Sequence, residues 1–198
     1  MNNVYGINHP FCKEVVIECS SSVDVSDNNF LYTKFKFFNN TNKQLLGIIE
    51  LLHIASNFNL YKNTNTIDVL TEVFDNSFYS ELKSVIPVIS NSNYIARFHV
   101  DEILLKDSFV YLKWIGVTEA HRGKKYGDCF LQLLPALMKD FIGIENATVV
   151  LISSPTDDYD CSRREACKKL NAFYERNEYP ILMNDVSIKK IKQICIQF

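Results

Sequence analysis

A strong amphipathic helix lies between two apolar strands in the second half of the chain. Apolar residues from Phe130 to Phe141 recur at intervals of three and four, the spacing of one helical face. Residues 109–117 before it and 147–153 after it are rich in β-branched and aromatic residues, which predicts strands, the second buried on both faces. A strand, a helix and a buried strand in succession predict a βαβ unit with parallel strands. The unit indicates an α/β fold.

Patterns outside this unit predict further strands and helices. The polar residues between 31–38 and 45–54 suit a hairpin turn, and three residues between 94–105 and 109–117 suit a second one. The predicted strands are 14–19, 31–38, 45–54, 94–105 and 194–198, and the predicted helices are 66–86 and a segment from about residue 162.

Length and charge limit what the chain can be. The 198 residues fit one domain, 1–198, which we divide into a variable half at 1–90 and a core at 94–180. A net charge of −2 gives no general electrostatic hold on nucleic acid or on an anionic membrane. The six cysteines form no zinc-ligand spacing, and we find neither a signal peptide nor a membrane span. We therefore expect no metal and a cytoplasmic location.

Glycine and basic residues are concentrated between the strand and the helix. Gly116, Gly123 and Gly127 lie within twelve residues, and Arg122, Lys124 and Lys125 stand among them. Glycine lets a backbone turn tightly and approach a ligand, while cations at a helix N-terminus suit a phosphate or pyrophosphate. The alternative is an ordinary glycine-containing turn with a solvated basic patch.

Two motifs in this region resemble those of the GNAT superfamily of acetyl-CoA-dependent N-acetyltransferases. The first is Val117 followed by Arg-Gly-Lys-Lys-Tyr-Gly at 122–127, and the second is Leu-x-x-Phe-Tyr-Glu at 170–175 with Tyr179 as the final aromatic. The resemblance covers residues 109–180. Lys125 and Glu178 stand where the family usually has glycine.

The resemblance implies a fold and a cofactor site. The fold is a mixed, mostly antiparallel sheet with a splayed parallel pair and helices on both faces. The edge of strand 109–117, including Ile115, would bind the pantetheine arm of acetyl-CoA, and the amide of Val117 would face the thioester oxygen. The pyrophosphate would bind the glycine-rich run, whose residues are Arg122, Gly123, Lys124, Lys125, Tyr126 and Gly127.

The resemblance also implies catalytic roles. Tyr174 would protonate the departing CoA thiolate. A base must deprotonate the amine, and the strand that leads to Val117 carries no carboxylate, so the candidates are Glu102 and then Asp101. For both carboxylates a structural role remains open, in a solvated edge or in a cross-strand pair with Lys113. His121 is interpreted as a surface residue.

The function implied is transfer of an acetyl group to an amine by direct attack in a ternary complex. The acceptor would be a small-molecule or peptide amine, in a pocket shaped by residues 56–92 and 154–162. An alternative of a different class is a non-catalytic acyl-CoA-binding module. Lys125 and the missing strand carboxylate favour this second interpretation.

Overall fold

The computed structural model describes residues 3–7, 9–10, 12–23, 30–54, 83, 108–154, 162–179, 181–183 and 186–191. Within these ranges the strands form one sheet of eight, in the order β1-β2-β3-β4-β5-β6-β8-β7. The strands are β1 (Asn3–Gly6), β2 (Glu14–Val23), β3 (Phe30–Asn39), β4 (Leu45–Ile54), β5 (Ser108–Val117), β6 (Ala147–Ile152), β7 (Ile181–Met183) and β8 (Val186–Ile191). The α-helices within these ranges are α1 (Tyr126–Ile142) and α2 (Arg163–Arg176).

The first four strands form an antiparallel meander. Predicted strands at 14–19, 31–38 and 45–54 are confirmed as β2, β3 and β4, while the short strand β1 was not predicted. The hairpin between β3 and β4 is also confirmed, and its turn is built by Asn39. The Asn39 side-chain oxygen accepts hydrogen bonds from the amides of Thr41 at 2.8 Å and Asn42 at 3.3 Å.

The βαβ unit is confirmed. Strands β5 and β6 are parallel, from Ser108 opposite Ala147 to Leu112 opposite Leu151, and α1 connects them. Helix α1 continues through Pro135 and ends at Gly143, whose left-handed φ of 70° lets its amide bond back to the last turn.

One predicted pairing is wrong. Over residues 110–112 strand β5 is paired along both edges, with β4 on one side and β6 on the other. No edge is left there for the predicted hairpin with 94–105. The turn pattern before β5 was misleading because local spacing carries no information about which distant strand occupies an edge.

Other predictions concern parts of the chain outside the described residues. These are the strand at 94–105, the helix at 66–86 and the strand at 194–198. Helix α2 confirms the helix predicted from about residue 162. Strands β7 and β8 were not predicted, and β8 pairs antiparallel with β6.

The sheet is buried on both faces. On one face Phe35 and Phe37 pack against α1, with ring centroids 5.7 Å from Phe141 and 4.0 Å from Phe130 respectively. Side chains alternate along a strand, so Phe30 of β3 lies on the opposite face, where it too is fully buried. The predicted fold class, a mixed and mostly antiparallel sheet with one parallel pair among the described strands, is confirmed.

Candidate functional site

The sheet opens between its two parallel strands. Pairing of β5 with β6 ends at Leu112, although β5 continues to Val117. A β-bulge lies at the same point, because Trp114 pairs with Glu50 of β4 while Leu112 pairs with the next residue, which leaves Lys113 as an extra residue in β5. A bulge bends its strand. We attribute the separation of β5 from β6 to this bend.

The opened edge of β5 presents backbone groups to the resulting cleft. The amide of Thr118 donates to the carbonyl oxygen of Leu46, on the β4 side, at 2.9 Å. Amides of neighbouring residues in a strand alternate between its two edges. The amides of Val117 and Ile115 therefore face away from β4, toward the cleft. An extended chain could pair with this edge as a further strand would.

The base of the cleft is a tight loop before α1. A single 3-10 turn, Glu119–His121, is followed by a turn over residues 122–125. Gly123 has a left-handed φ of 74°, and an added Cβ there would meet no atom within 4 Å. Lys124 closes the loop on itself by donating from Nζ to the carbonyl oxygen of Ala120 at 2.9 Å. The loop is thus compact, with an open surface at its glycine.

A buried histidine from the N-terminal segment supports this loop. The His9 ring stacks on Tyr126 with centroids 3.9 Å apart, and its Nε2 donates to the carbonyl oxygen of Lys124 at 2.5 Å. Tyr126 is itself buried, and burial raises the pKa of its phenol. The side chain of Tyr126 is consequently part of the loop's support, and only its backbone is suited to contact a ligand.

Two residues that stand where the resembled motifs usually have glycine keep a backbone conformation that favours glycine. Lys125 has φ 62° and Glu178 has φ 65°. Both values lie in the left-handed region, which costs a residue with a Cβ about 1–2 kcal/mol. At these two positions the chain keeps the turn and adds a charged side chain to it.

Helix α2 forms the opposite wall and is fastened to α1. Gly127 lies against the Phe173 ring, which a Cβ added at residue 127 would meet at 3.1 Å. Asp128 accepts hydrogen bonds from Arg176 Nε at 2.7 Å, Arg176 Nη2 at 3.2 Å and Asn177 Nδ2 at 2.7 Å. Although burial opposes ionisation, the bonds from Arg176 and Asn177 hold the pKa of Asp128 below its usual value.

Tyr174 lies between these contacts. It is 6 % exposed, lines the cleft, and its ring contacts those of Phe173 and Tyr179 at centroid distances of 5.1 Å and 6.5 Å. At the other side of α2, Ser153 Oγ donates to the side-chain oxygen of Asn171 at 2.5 Å. Helix α2 is therefore anchored at the end of β6 as well as at α1.

The cleft has a volume of about 660 Å³ and a basic lining. Its cations come from β5, the loop and α2, and within the described residues Asp128 is the one carboxylate of the lining, already bonded to Arg176. The basic side chains are Lys113, Arg122, Lys125, Lys169 and Arg176. An excess of cations in a cleft favours an anionic ligand.

Most of the predicted site residues meet in this cleft. Those that line it are Ile115, Val117, Arg122, Gly123, Lys125, Tyr126, Gly127 and Tyr174. Lys124 is not among the lining residues, since its side chain bonds to Ala120 within the loop. Asp101 and Glu102 lie outside the described residues, as do most of the segments predicted to shape the acceptor pocket.

Sequence reasoning missed several lining residues. Trp114 is 41 % exposed, and its indole lies over Gly116, where an added Cβ would meet Nε1 at 2.6 Å. His121, interpreted as a surface residue, lines the cleft, and so does Lys169 of α2. The clustering of the basic residues 122–125 was visible in the sequence, but the convergence of α2 on the loop had no local signal.

Glu50 is a carboxylate of β4 that was not among the predicted bases. It lies directly across from Trp114 and bonds to Lys34 Nζ at 2.8 Å. Although burial opposes ionisation, its bonds to Lys34 and Tyr32 lower the pKa of Glu50. A carboxylate held in its ionised form by an ion pair is a weak base.

Two kinds of site are not found in the described part of the chain. No group of three or more potential metal ligands occurs there. No helix among the same residues is long and apolar enough to cross a membrane.

Comparison with known proteins gives distant structural neighbours. Protein-family models give no match to the chain, and curated proteins give none either. A mosquito arylalkylamine N-acetyltransferase like 5b is 14 % identical with a TM-score of 0.38, over 80 % of this chain and 74 % of that one. Arylalkylamine N-acetyltransferase 2 from Aedes aegypti is 15 % identical with a TM-score of 0.35, over 69 % and 55 %. Both of these neighbours are named as arylalkylamine N-acetyltransferases.

Proposed function

We propose that the protein is an N-acetyltransferase that uses acetyl-CoA as co-substrate. The observation that carries the proposal is the separation of β5 from β6 beyond Leu112, above a basic loop that is open at Gly123. This arrangement offers one elongated ligand two different contacts. An extended arm can pair with a strand edge, while a doubly charged anion meets amides and cations.

The fit to CoA can be assigned to particular residues. The amides of Ile115 and Val117 would bind the pantetheine arm, which carries amide groups of its own. Gly123 and the backbone of the following residues would contact the pyrophosphate, with Arg122 and Lys125 supplying charge. Arg122 Nε also donates to the carbonyl oxygen of Val117 at 3.4 Å, so this side chain links the two parts of the cleft.

The transfer step needs a stabilised oxygen and two proton transfers. As the amine attacks, the thioester oxygen gains negative charge, and the amide of Val117 would donate a hydrogen bond to it. Tyr174 would protonate the departing thiolate, a role supported by its place in the cleft wall and by its fixed ring. Asp101 and Glu102 remain the proposed source of the base, with Glu102 first.

A non-catalytic acyl-CoA-binding module is the second candidate. In the described part of the cleft the lining contains no carboxylate other than Asp128, whose oxygens are already bonded to α2. A chain that kept the binding loop and lost its base would have this lining. The two candidates make the same prediction for CoA binding and opposite predictions for turnover.

We further propose a small-molecule or peptide amine as acceptor, no nucleic-acid or membrane partner, and a cytoplasmic location. The net charge of −2 supports the absence of a polyanionic partner, because it gives the chain no general attraction for nucleic acid or an anionic membrane.

The proposal is tested by measuring binding and turnover on the same preparation. Calorimetry with CoA measures binding, and release of the free CoA thiol in the presence of amines measures transfer. We expect saturable binding and amine-dependent thiol release. Binding without release from any amine in a chemically diverse panel would favour the binding module, and failure to bind CoA would contradict both candidates.

A further inference from the structure

The hydrogen-bond geometry at the base of the cleft defines which nitrogen of His121 carries the hydrogen. Thr118 Oγ1 lies 2.9 Å from His121 Nδ1 and 3.1 Å from the carbonyl oxygens of both Leu45 and Leu46. A hydroxyl has one hydrogen to donate, whereas it can accept two. The direction of these contacts follows from that limit.

The hydroxyl hydrogen of Thr118 points toward the carbonyl oxygens of Leu45 and Leu46. Two carbonyl oxygens that close to a hydroxyl oxygen repel its lone pairs unless the hydrogen lies between them. The contact with His121 is then a bond in which Nδ1–H donates to Thr118 Oγ1. In the neutral ring the other nitrogen, Nε2, carries the lone pair and can take up a proton.

The ring of His121 is held at the cleft by a second contact. It meets Tyr126 edge-on, with centroids 5.6 Å apart and planes at 84°, and Tyr126 is stacked in turn on His9. The same ring lines the cleft next to Arg122, Gly123 and Lys125. Nδ1 of His121 is therefore bonded to Thr118, while the imidazole ring lines the cleft beside the cations.

The charges around His121 depend on whether the cleft holds an anion. Arg122 and Lys125 line the same cleft and disfavour another positive charge, whereas exposed Glu119 in the same turn favours one. The phenol of Tyr126 faces the ring, and Lys124 Nζ is bonded to Ala120. A phosphate bound among these cations would favour the protonated ring.

We propose that His121 is a phosphate ligand of the cleft and takes up a proton on Nε2 when the pyrophosphate binds. The proposal rests on the proposed function, since it takes the CoA pyrophosphate as the anion. Binding adds one proton to the imidazole, drawn from solvent, and breaks no covalent bond of the ligand. An adjacent phosphate favours the charged form of an imidazole over the neutral form.

Calorimetry with dephospho-CoA tests the proposal. This probe keeps the pyrophosphate but lacks the 3′-phosphate monoester, a group that itself titrates at about pH 6. Titrations near pH 7 in buffers of different ionisation enthalpy measure the protons taken up. We expect net uptake by the wild type and an affinity that falls several-fold from pH 6 to pH 8.

His121→Asn is the informative variant, because its amide can still donate to Thr118 while the titrating nitrogen is removed. It should bind without proton uptake and with an affinity that changes less than about twofold over the same pH range. Lys125→Met is the matched control. It removes a cation from the same loop, so it should bind more weakly at every pH and retain the uptake.

The outcomes separate this inference from the proposed function. Wild-type binding with no proton uptake, or equal uptake in His121→Asn, overturns the inference alone. Absence of any binding overturns both. Should His121→Asn fail to fold, ¹⁵N NMR of the wild-type imidazole decides: hydrogen on Nδ1 alone in the free protein and on both nitrogens in the complex supports the inference, and an unchanged ring overturns it.

Discussion

Two charged residues of this chain occupy backbone conformations in which glycine is the least strained residue. Lys125 and Glu178 stand where the motifs that the sequence resembles usually have glycine. What the sequence could not show is that the left-handed φ persists at both. The sequence states which side chain stands at each position, but the φ angle of a non-glycine residue is set by the surrounding turn.

Replacing Lys125 with glycine should stabilise the fold. Lys125 has φ 62°, and Lys125→Gly removes the clash of its Cβ, so the free energy of unfolding should rise by about 1 kcal/mol. Urea denaturation measures this free energy of unfolding. The control is Lys139→Gly in the last turn of α1, an ordinary helical position, which should lower the same quantity by about 1 kcal/mol. A Lys125→Gly protein no more stable than wild type would contradict the strain at this residue.

Tyr174 is tested by removal of one hydroxyl. Tyr174→Phe keeps the ring contacts with Phe173 and Tyr179, so CoA affinity should stay near wild type. If the phenol protonates the leaving thiolate, turnover should fall by roughly 10² or more. Steady-state kinetics alongside CoA calorimetry make the comparison. Unchanged turnover would leave Tyr174 with a packing role only.

At the scale of elements, the site depends on how α1 and α2 meet. The sequence predicted both helices and placed Gly127 in the glycine-rich run that was predicted to bind a pyrophosphate. In the structure Gly127 also allows α2 to pack closely, because its missing side chain makes room for the Phe173 ring. A close approach between two residues 46 positions apart in the chain leaves no periodic signal, so the sequence pattern could assign Gly127 only to its local turn.

The fit between Gly127 and Phe173 can be measured as a coupling energy. Gly127→Ala places a Cβ about 3.1 Å from the Phe173 ring, and we expect it to destabilise the protein by about 1 kcal/mol. In a Phe173→Leu background the same change should cost less, with a coupling of at least 0.5 kcal/mol, roughly the lower limit for contacting residues. Additive effects in the double-mutant cycle would show that the glycine serves the loop alone.

Ionisation of Asp128 should appear in the pH dependence of stability. Although burial opposes ionisation, bonds from Arg176 and Asn177 lower the pKa of Asp128 in the folded state. The ionised carboxylate therefore stabilises the fold above the unfolded-state pKa of about 3.9. This stabilisation is lost as the pH falls through the pKa of Asp128 in the folded state.

We therefore expect Asp128→Asn to be less stable than wild type at pH 7 by about 1 kcal/mol, since Arg176 is largely exposed. The difference should shrink below about pH 4. Urea denaturation from pH 3 to pH 7 gives both curves, and Glu175→Gln of α2 serves as an exposed control. A constant difference across this range would rule out ionisation of Asp128 as its source.

At the scale of the whole molecule, the sequence predicted the class of fold better than its connections. Alternation and helical spacing are local, and they identified β2 to β6 and both helices. Which strand neighbours β5 is decided by distant partners, and there the predicted hairpin was wrong. The cleft depends on such long-range strand pairing, because the bulge at Lys113 is defined by the register of β5 against β4.

The complete arrangement predicts that CoA stabilises the native protein whether or not it is a substrate. A ligand that binds only the folded state at 100 times its Kd adds about 2.7 kcal/mol. For a chain of 198 residues this raises the Tm by roughly 5–10 °C. The shift should decrease as salt is added, because the basic lining of the cleft supplies part of the affinity. Differential scanning calorimetry with CoA measures the shift.

Gly123→Asp provides the decisive comparison for this thermal shift. Gly123 is exposed and no atom lies within 4 Å of its added Cβ, so the new carboxylate meets the ligand's phosphates rather than the core. Its left-handed φ of 74° tolerates aspartate better than most residues. The variant should fold and lose most of the CoA-dependent shift, whereas Tyr174→Phe should keep the full shift and lose turnover. An unreduced shift in Gly123→Asp would place CoA elsewhere on the molecule, and a wild type with the full shift but no thiol release would be a binding module.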